Sequence, residues 1–218
     1  MIANCGEVQL YYEKSGQGRP LVLVHGNGED HSIFNEAVAL LRERFTCYAL
    51  DSRGHGRSSR GAPLHYRAMA ADLCAFLEAL DLRDVLLYGF SDGGIVGLLA
   101  AGMTERITGL AVSGANLSPR GVKSSLRLRI ALENLLRPSP LLQLMLREPD
   151  IRDEELRRIR AKTLVLAGSG DLIRERETRH IAKTVPGAAL RILPGEDHGS
   201  YIVHSEKIAR ILLAFGGE

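Results

Sequence analysis

The chain has no tryptophan, only 5% aromatic residues and just three cysteines. The cysteines, Cys5, Cys47 and Cys74, are odd in number and widely spaced, so neither a disulfide framework nor a zinc site is expected. No metal or cofactor is called for, and a reducing cytoplasm is the natural compartment. No sign of charge dominates: 28 Lys and Arg stand against 26 Asp and Glu, a net +2. That balance gives no global electrostatic case for a nucleic acid or a membrane as partner. Basic residues gather between Arg120 and Arg160, but acidic ones are interspersed, which reads as a solvated helical face. Long hydrophobic runs are missing too. The stretch Ile95 to Met103 is too short to cross a bilayer, and the opening residues MIANCGEVQLYYEK lack the apolar core of a secretory signal. Repeats, low-complexity segments and the G-x-G-x-x-G and Walker patterns of nucleotide-binding turns are all missing.

What is present is the balance of a globular protein. The 218 residues are 45% apolar and 25% charged, enough for a core without crosslinks. Val8 to Glu13 alternates as a strand. Leu21 to Gly26, Thr46 to Leu50, Asp84 to Phe90, Ile107 to Val112, Lys162 to Ala167 and Ala189 to Leu193 are short apolar runs that suit buried strands. Helical spacing separates them over Ile33 to Arg44, Tyr66 to Leu80, Ile95 to Met103, Glu175 to Val185 and Ser205 to Phe215. Strands alternating with helices predict an α/β fold, a mostly parallel sheet with helices on both faces. One stretch, Asn116 to Ile159, has helical periodicity broken by Pro138, Pro140 and Pro149 and no strand-like run. At more than forty residues it is long for a plain crossover and predicts a helical lid. The expected division is therefore a core over 1–115 and 161–218, with a cap over 116–160.

Gly89-Phe90-Ser91-Asp92-Gly93 matches G-x-S-x-G at a predicted strand-to-helix junction. A strand that reverses into a helix within one residue holds its serine in a strained conformation, and side chains two positions either way would collide, hence glycine at both. The turn exposes the hydroxyl and aims a helix N-terminus at it. A serine hydroxyl is a poor nucleophile without a base to take its proton and an acid to orient that base. Of seven histidines, His198 alone lies in a Gly-rich loop following a late strand, with Gly199 leaving room for its ring. His25, His31, His55, His65, His180 and His204 fit structural roles. Asp171 follows another predicted strand end. The alternative acid position, after the Ile107 strand, holds Asn116, and Asp197 is too close in sequence to His198 to orient its ring. Loops at strand carboxyl ends gather at one edge of such a sheet, so Ser91, Asp171 and His198 are expected to meet there. Two N–H donors must stabilise the oxyanion. Asp92 is one candidate; Asn27, in the loop His25-Gly26-Asn27-Gly28, is the first choice for the other, with Gly28 as the alternative. Gly26, Gly28 and the Asp92 side chain are candidate substrate contacts.

Four motifs in order, HGNG at His25, DSRGHGRS at Asp51, GFSDGG at Gly89 and the GSGD and EDHGS pair, resemble the α/β-hydrolase superfamily over nearly the whole chain. The resemblance implies an eight-stranded, mostly parallel sheet with one antiparallel strand near the N-terminus, and a short helical cap after the sixth strand. It also implies a Ser91-His198-Asp171 triad cleaving small carboxylic esters through an acyl-enzyme. The GFSDGG turn is similar to that of valacyclovir-hydrolase-like enzymes, in which an acid after the nucleophile binds a substrate amino group. An acid that merely caps its own helix is the other reading of Asp92. A cap shorter than usual implies a more open site, or a lid completed by a partner subunit in a homodimer. The same triad serves amidase, thioesterase, lactonase, perhydrolase and C–C hydrolase chemistry, and a ligand-sensing protein with slow turnover also fits. A haloalkane dehalogenase does not fit, because Ser91 stands where its nucleophilic Asp would be and no tryptophan is present to hold a halide.

Overall fold

The computed structural model describes residues 1–217. Strands β1 (Ile2–Cys5), β2 (Val8–Ser15), β3 (Arg19–Val24), β4 (Phe45–Leu50), β5 (Val85–Phe90), β6 (Ile107–Ser113), β7 (Lys162–Gly168) and β8 (Ala189–Leu193) form one eight-stranded sheet. Their order is β1-β2-β4-β3-β5-β6-β7-β8. Only β2 runs against the rest, pairing antiparallel with β1 and β4, while every pair from β4 to β8 is parallel. The expected mostly parallel sheet is therefore the observed one.

The period of two along each strand divides the core into two layers. Val22 and Val24 of β3 and Val85 and Leu87 of β5 face one side. There they meet α2 (Tyr66–Ala79), α3 (Asp92–Ala101) and α7 (Glu175–Thr184). Leu21, Leu23, Leu86 and Tyr88 face the other side, against α1 (Asn35–Leu41) and α8 (Lys207–Gly216). Every residue of β5 is buried, as a central strand covered on both faces requires.

Three local differences have physical causes. β1 has only four residues, too few for its alternation to register in the sequence, and it is held by pairing with β2 across a turn in which Gly6 takes φ +68°. The helix expected over Ile33 to Arg44 is split. Asp30 accepts a bond from the Ser32 N–H and caps a 3-10 turn at His31–Phe34 before α1 begins. The helix after Ser91 starts at Asp92, since Gly93 and Gly94, unfavourable in a helix by propensity, are there for close packing.

Between β6 and β7 lie a 3-10 turn (Pro119–Gly121) and helices α4 (Ser124–Leu136), α5 (Pro140–Arg147) and α6 (Asp153–Leu156). This stretch is tied to the body through Leu117, Leu144, Ile151, Leu156 and Ile159, all buried in the same cluster as the apolar faces of α2 and α3. Of the residues of α4, only Ile130 is buried.

Candidate active site

Ser91 sits between β5 and α3 with φ 53° and ψ −113°, backbone angles that cost free energy for any residue with a side chain. The flanking glycines are required by contact. A Cβ on Gly89 would lie 2.1 Å from the Gly93 carbonyl oxygen, and one on Gly93 would lie 2.1 Å from the Val24 carbonyl oxygen. These approaches press the start of α3 against β3 and leave the serine at the sheet's carboxyl edge. The Ser91 N–H donates to the Ser113 carbonyl of β6, fixing the turn from below.

The loops after β7 and β8 meet over this serine. Ser91 Oγ donates to His198 Nε2 at 3.1 Å, and His198 Nδ1 donates to Asp171 Oδ1 at 2.7 Å. Asp171 is 3% exposed, and its Oδ1 also accepts the Ile173 N–H at 2.8 Å. Phe90 stacks at a tilt against the His198 ring with centroids 5.0 Å apart. Gly114, at φ +62°, leaves the space the ring occupies, since a Cβ there would lie 2.6 Å from His198 Cε1. Asp197 does other work: its Oδ1 accepts the N–H groups of Gly199 and Ser200 and shapes the loop that carries His198. Asn116 is buried nearby and donates to the Ser118 carbonyl.

The loop after β3 brings the second set of groups. The Asn27 and Asp92 N–H groups have no acceptor among the described residues, whereas those of Gly26 and Gly28 are engaged. Gly26 N–H donates to Glu29 Oε2 at 2.9 Å, and Gly28 N–H donates to His55 Nε2 at 3.1 Å. Gly26 lines the cavity over Ser91. Gly28 does not: its N–H held by His55, it lines a separate recess with His31 and Asp51.

Asp92 is more enclosed than the sequence suggests. It is 3% exposed, and it is not a helix cap. Its Oδ1 accepts from the Tyr66 hydroxyl at 2.8 Å and its Oδ2 from Asn27 Nδ2 at 2.9 Å. Burial raises its pKa, opposed by those two hydrogen bonds. Burial likewise raises that of Glu29, opposed by the Gly26 N–H. Tyr66 and Glu29 are site members that the sequence reading missed. Tyr66 sits on the apolar face of α2, where nothing separates it from a core residue. Glu29 is one residue beyond Gly28, where the candidate loop HGNG ends.

Two further histidines support the site as fixed hydrogen-bonding blocks. His25 Nε2 accepts the Ser52 N–H while Nδ1 donates to the Gly26 carbonyl. His55 Nδ1 donates to the Arg53 carbonyl while its Nε2 takes the Gly28 N–H. Each ring joins the β3 and β4 loops in one tautomer.

Over Ser91 opens a cavity of about 260 Å³. Its lid side is mostly apolar, with Leu126 and Ile130 from α4 and Leu142 and Met145 from α5, but it also carries Arg129 and Glu133 of α4. Asn27 Nδ2 also reaches the Leu141 carbonyl at 3.4 Å, so the start of α5 touches the loop that carries the free N–H. The volume equals about nine waters at ~30 Å³ each, room for a small organic group. The polar lining of the cavity consists of carboxylates, amides, hydroxyls, His198 and Arg129, and among the described residues no cluster of metal-ligand type lies there.

A sheet of this order, with a serine on the turn after its fifth strand, is the architecture of the hydrolases built on an α/β scaffold. Residues 19–136, more than half of the chain, match the α/β hydrolase fold family, and the chain belongs to that family. A Synechocystis sp. relative provisionally named as a non-heme chloroperoxidase is 25% identical over 97% of this chain and 96% of its own length. The sn-1-specific diacylglycerol lipase ABHD11 of Xenopus tropicalis is 36% identical, but over only 50% of this chain and 36% of its own. The enol-lactonase of Burkholderia xenovorans LB400 superposes over 100% of both chains with a TM-score of 0.83 at 20% identity, a likeness of fold.

Proposed function

We propose that the protein is a serine hydrolase that cleaves small, neutral carboxylic esters. The observation that carries this reading is the continuous relay from Asp171 through His198 to Ser91, opening beside two unengaged N–H groups into a largely apolar cavity. Ser91 Oγ attacks the ester carbonyl as His198 Nε2 takes its proton. Asp171 holds Nδ1–H and stabilises the imidazolium. The N–H groups of Asn27 and Asp92 receive the charge that develops on the carbonyl oxygen. The alcohol leaves with the proton from His198. A water then gives its proton to His198 and attacks the acyl carbon, releasing the acid and restoring Ser91. No metal or cofactor enters these steps.

The role of Asp92 follows from its partners. With both oxygens accepting bonds and burial disfavouring its charge, it serves better to fix Asn27 than to capture a substrate amine. Neutral acyl groups are therefore favoured over α-aminoacyl groups. Three free cysteines suit a reducing, cytoplasmic setting.

A fluorophosphonate probe and a panel of p-nitrophenyl esters test the reading. Labelling of Ser91 with fastest turnover of short neutral acyl esters is expected. A folded protein that does not label overturns the hydrolase. Rapid labelling with negligible turnover across the panel replaces it with the ligand sensor, and a clear preference for α-aminoacyl esters overturns the role given to Asp92.

A further inference from the structure

Helix α4 has two apolar faces, and only one is covered. Leu126 and Ile130 look into the cavity over Ser91. On the opposite side, Leu128, Leu132, Leu135 and Leu136 are 63%, 53%, 77% and 81% exposed. Their spacing puts them on one stripe, and at 100° per residue Arg127 and Arg129 fall to either side of Leu128, with Arg129 bordering both the stripe and the cavity. The surrounding charge has one sign. Residues 117–147 hold six basic side chains, Arg120, Lys123, Arg127, Arg129, Arg137 and Arg147, against a single acid, Glu133. That segment is therefore net +5 in a chain of net +2, and the remainder is net −3. None of the six forms an ion pair among the described residues.

We propose that this face of α4 docks the protein on an anionic lipid surface, with the leucines entering the interface and the arginines meeting the headgroups. A leucine stripe bordered by long cationic side chains, which can extend towards phosphates while their stems cover apolar surface, is the pattern of a helix lying in such an interface. A second copy of the chain is the poorer occupant, because symmetric pairing through this face would set one +5 segment against another. The small net charge of the whole chain hid this surface, since the acids that balance it lie elsewhere. Because the other side of α4 lines the cavity, a docked protein would hold its site close to apolar esters dissolved in the lipid. This last consequence rests on the hydrolase reading; the docking itself does not.

The test is cosedimentation of the full chain with vesicles of phosphatidylcholine alone and with an equal share of phosphatidylglycerol. Binding to the anionic vesicles is expected to exceed that to the neutral ones by at least about tenfold and to weaken with added salt, since the attraction comes from surface cations that salt screens. The double variant Leu132→Asp and Leu136→Asp should lose that binding while keeping its circular dichroism spectrum and its hydrolysis of a water-soluble short-chain ester. Failure of the native chain to bind anionic vesicles overturns the proposal, as does undiminished binding by the double variant. Concentration-dependent dimerisation abolished by the same substitutions would assign the face to a second copy instead. An inactive protein that still binds would sink the hydrolase and leave the docking standing.

Discussion

The strand-to-helix turn at Ser91 and the helix α4 that roofs it lie on opposite sides of one cavity and are built in opposite ways. Around the turn, every residue of β5 is buried and glycines admit backbone contacts that no side chain could. Arg53 and Asp72, both largely buried, are bonded to each other. In α4 only Ile130 is buried, four leucines face solvent and the arginines have no ionic partner among the described residues. The difference separates two demands. The reaction needs atoms held to fractions of an ångström, which close packing supplies. Choice of substrate and surroundings needs a face left available, which packing would remove.

The largest effect should come from the relay. Ser91→Ala, His198→Ala and Asp171→Asn are each expected to lower kcat on a p-nitrophenyl ester by about 10⁴-fold, and combining the first two should add little, since the groups act as a unit. Losses that simply multiply would show that the three do not work together. Next comes the turn itself. Gly93→Ala puts a methyl group 2.1 Å from the Val24 carbonyl oxygen, a contact with backbone that no rotamer relieves. A loss of more than about 3 kcal/mol in urea unfolding is expected, the upper end of overpacking costs. A near-neutral result would mean the turn is far looser than its geometry.

The sequence disclosed the turn more readily than its surroundings for a physical reason. Glycine at 89 and 93, an apolar strand before and a helix after are local requirements, so they appear as a local pattern. His198 and Asp171 were legible because parallel strands deliver their following loops to one edge. Tyr66 meeting Asp92, and Glu29 holding Gly26, depend on how α2 and the β3 loop sit in three dimensions, and short-range patterns carry no record of that. Gly28 turned away for the same kind of reason, its N–H claimed by His55 from another loop. The strand β1 was too short to leave a period. In α4 both apolar faces are visible as spacing, but only the structure shows which one is covered.

A pH titration probes the packed region from another side. Burial drives the pKa of His25 down to about 4 from an ordinary 6.5, and protonation would break the bond its Nε2 accepts from Ser52. Above pH 6.5 the ring is neutral in folded and unfolded chains, and its contribution is fully present. Between 6.5 and 4 the unfolded chain binds a proton that the folded one refuses, so stability falls as pH falls, by about 3 kcal/mol from this group. Below 4 both states are protonated and the slope from His25 ends. Unfolding free energies at pH 7 and pH 5 should therefore converge when His25→Gln is compared with the native chain. An identical pH slope in the two proteins would show that His25 is not the group responsible.

The smallest effect is the one that isolates the roof. Leu136 is 81% exposed and Leu132 53%, so replacing either with serine removes little apolar area that folding had taken from water. A change within about 0.5 kcal/mol is expected in urea unfolding, the range of substitutions away from packed features. Leu144→Ala, on the neighbouring α5 but 4% exposed, supplies the contrast, with a loss of about 2 kcal/mol or more. A large loss at Leu136 would mean that the stripe is already covered within the monomer, and the division between a packed region that sets the reaction and an open one that meets the surroundings would fail there. A null effect at Leu136 beside a clear one at Leu144 would make that division finer, drawing it through the inserted helices rather than around them.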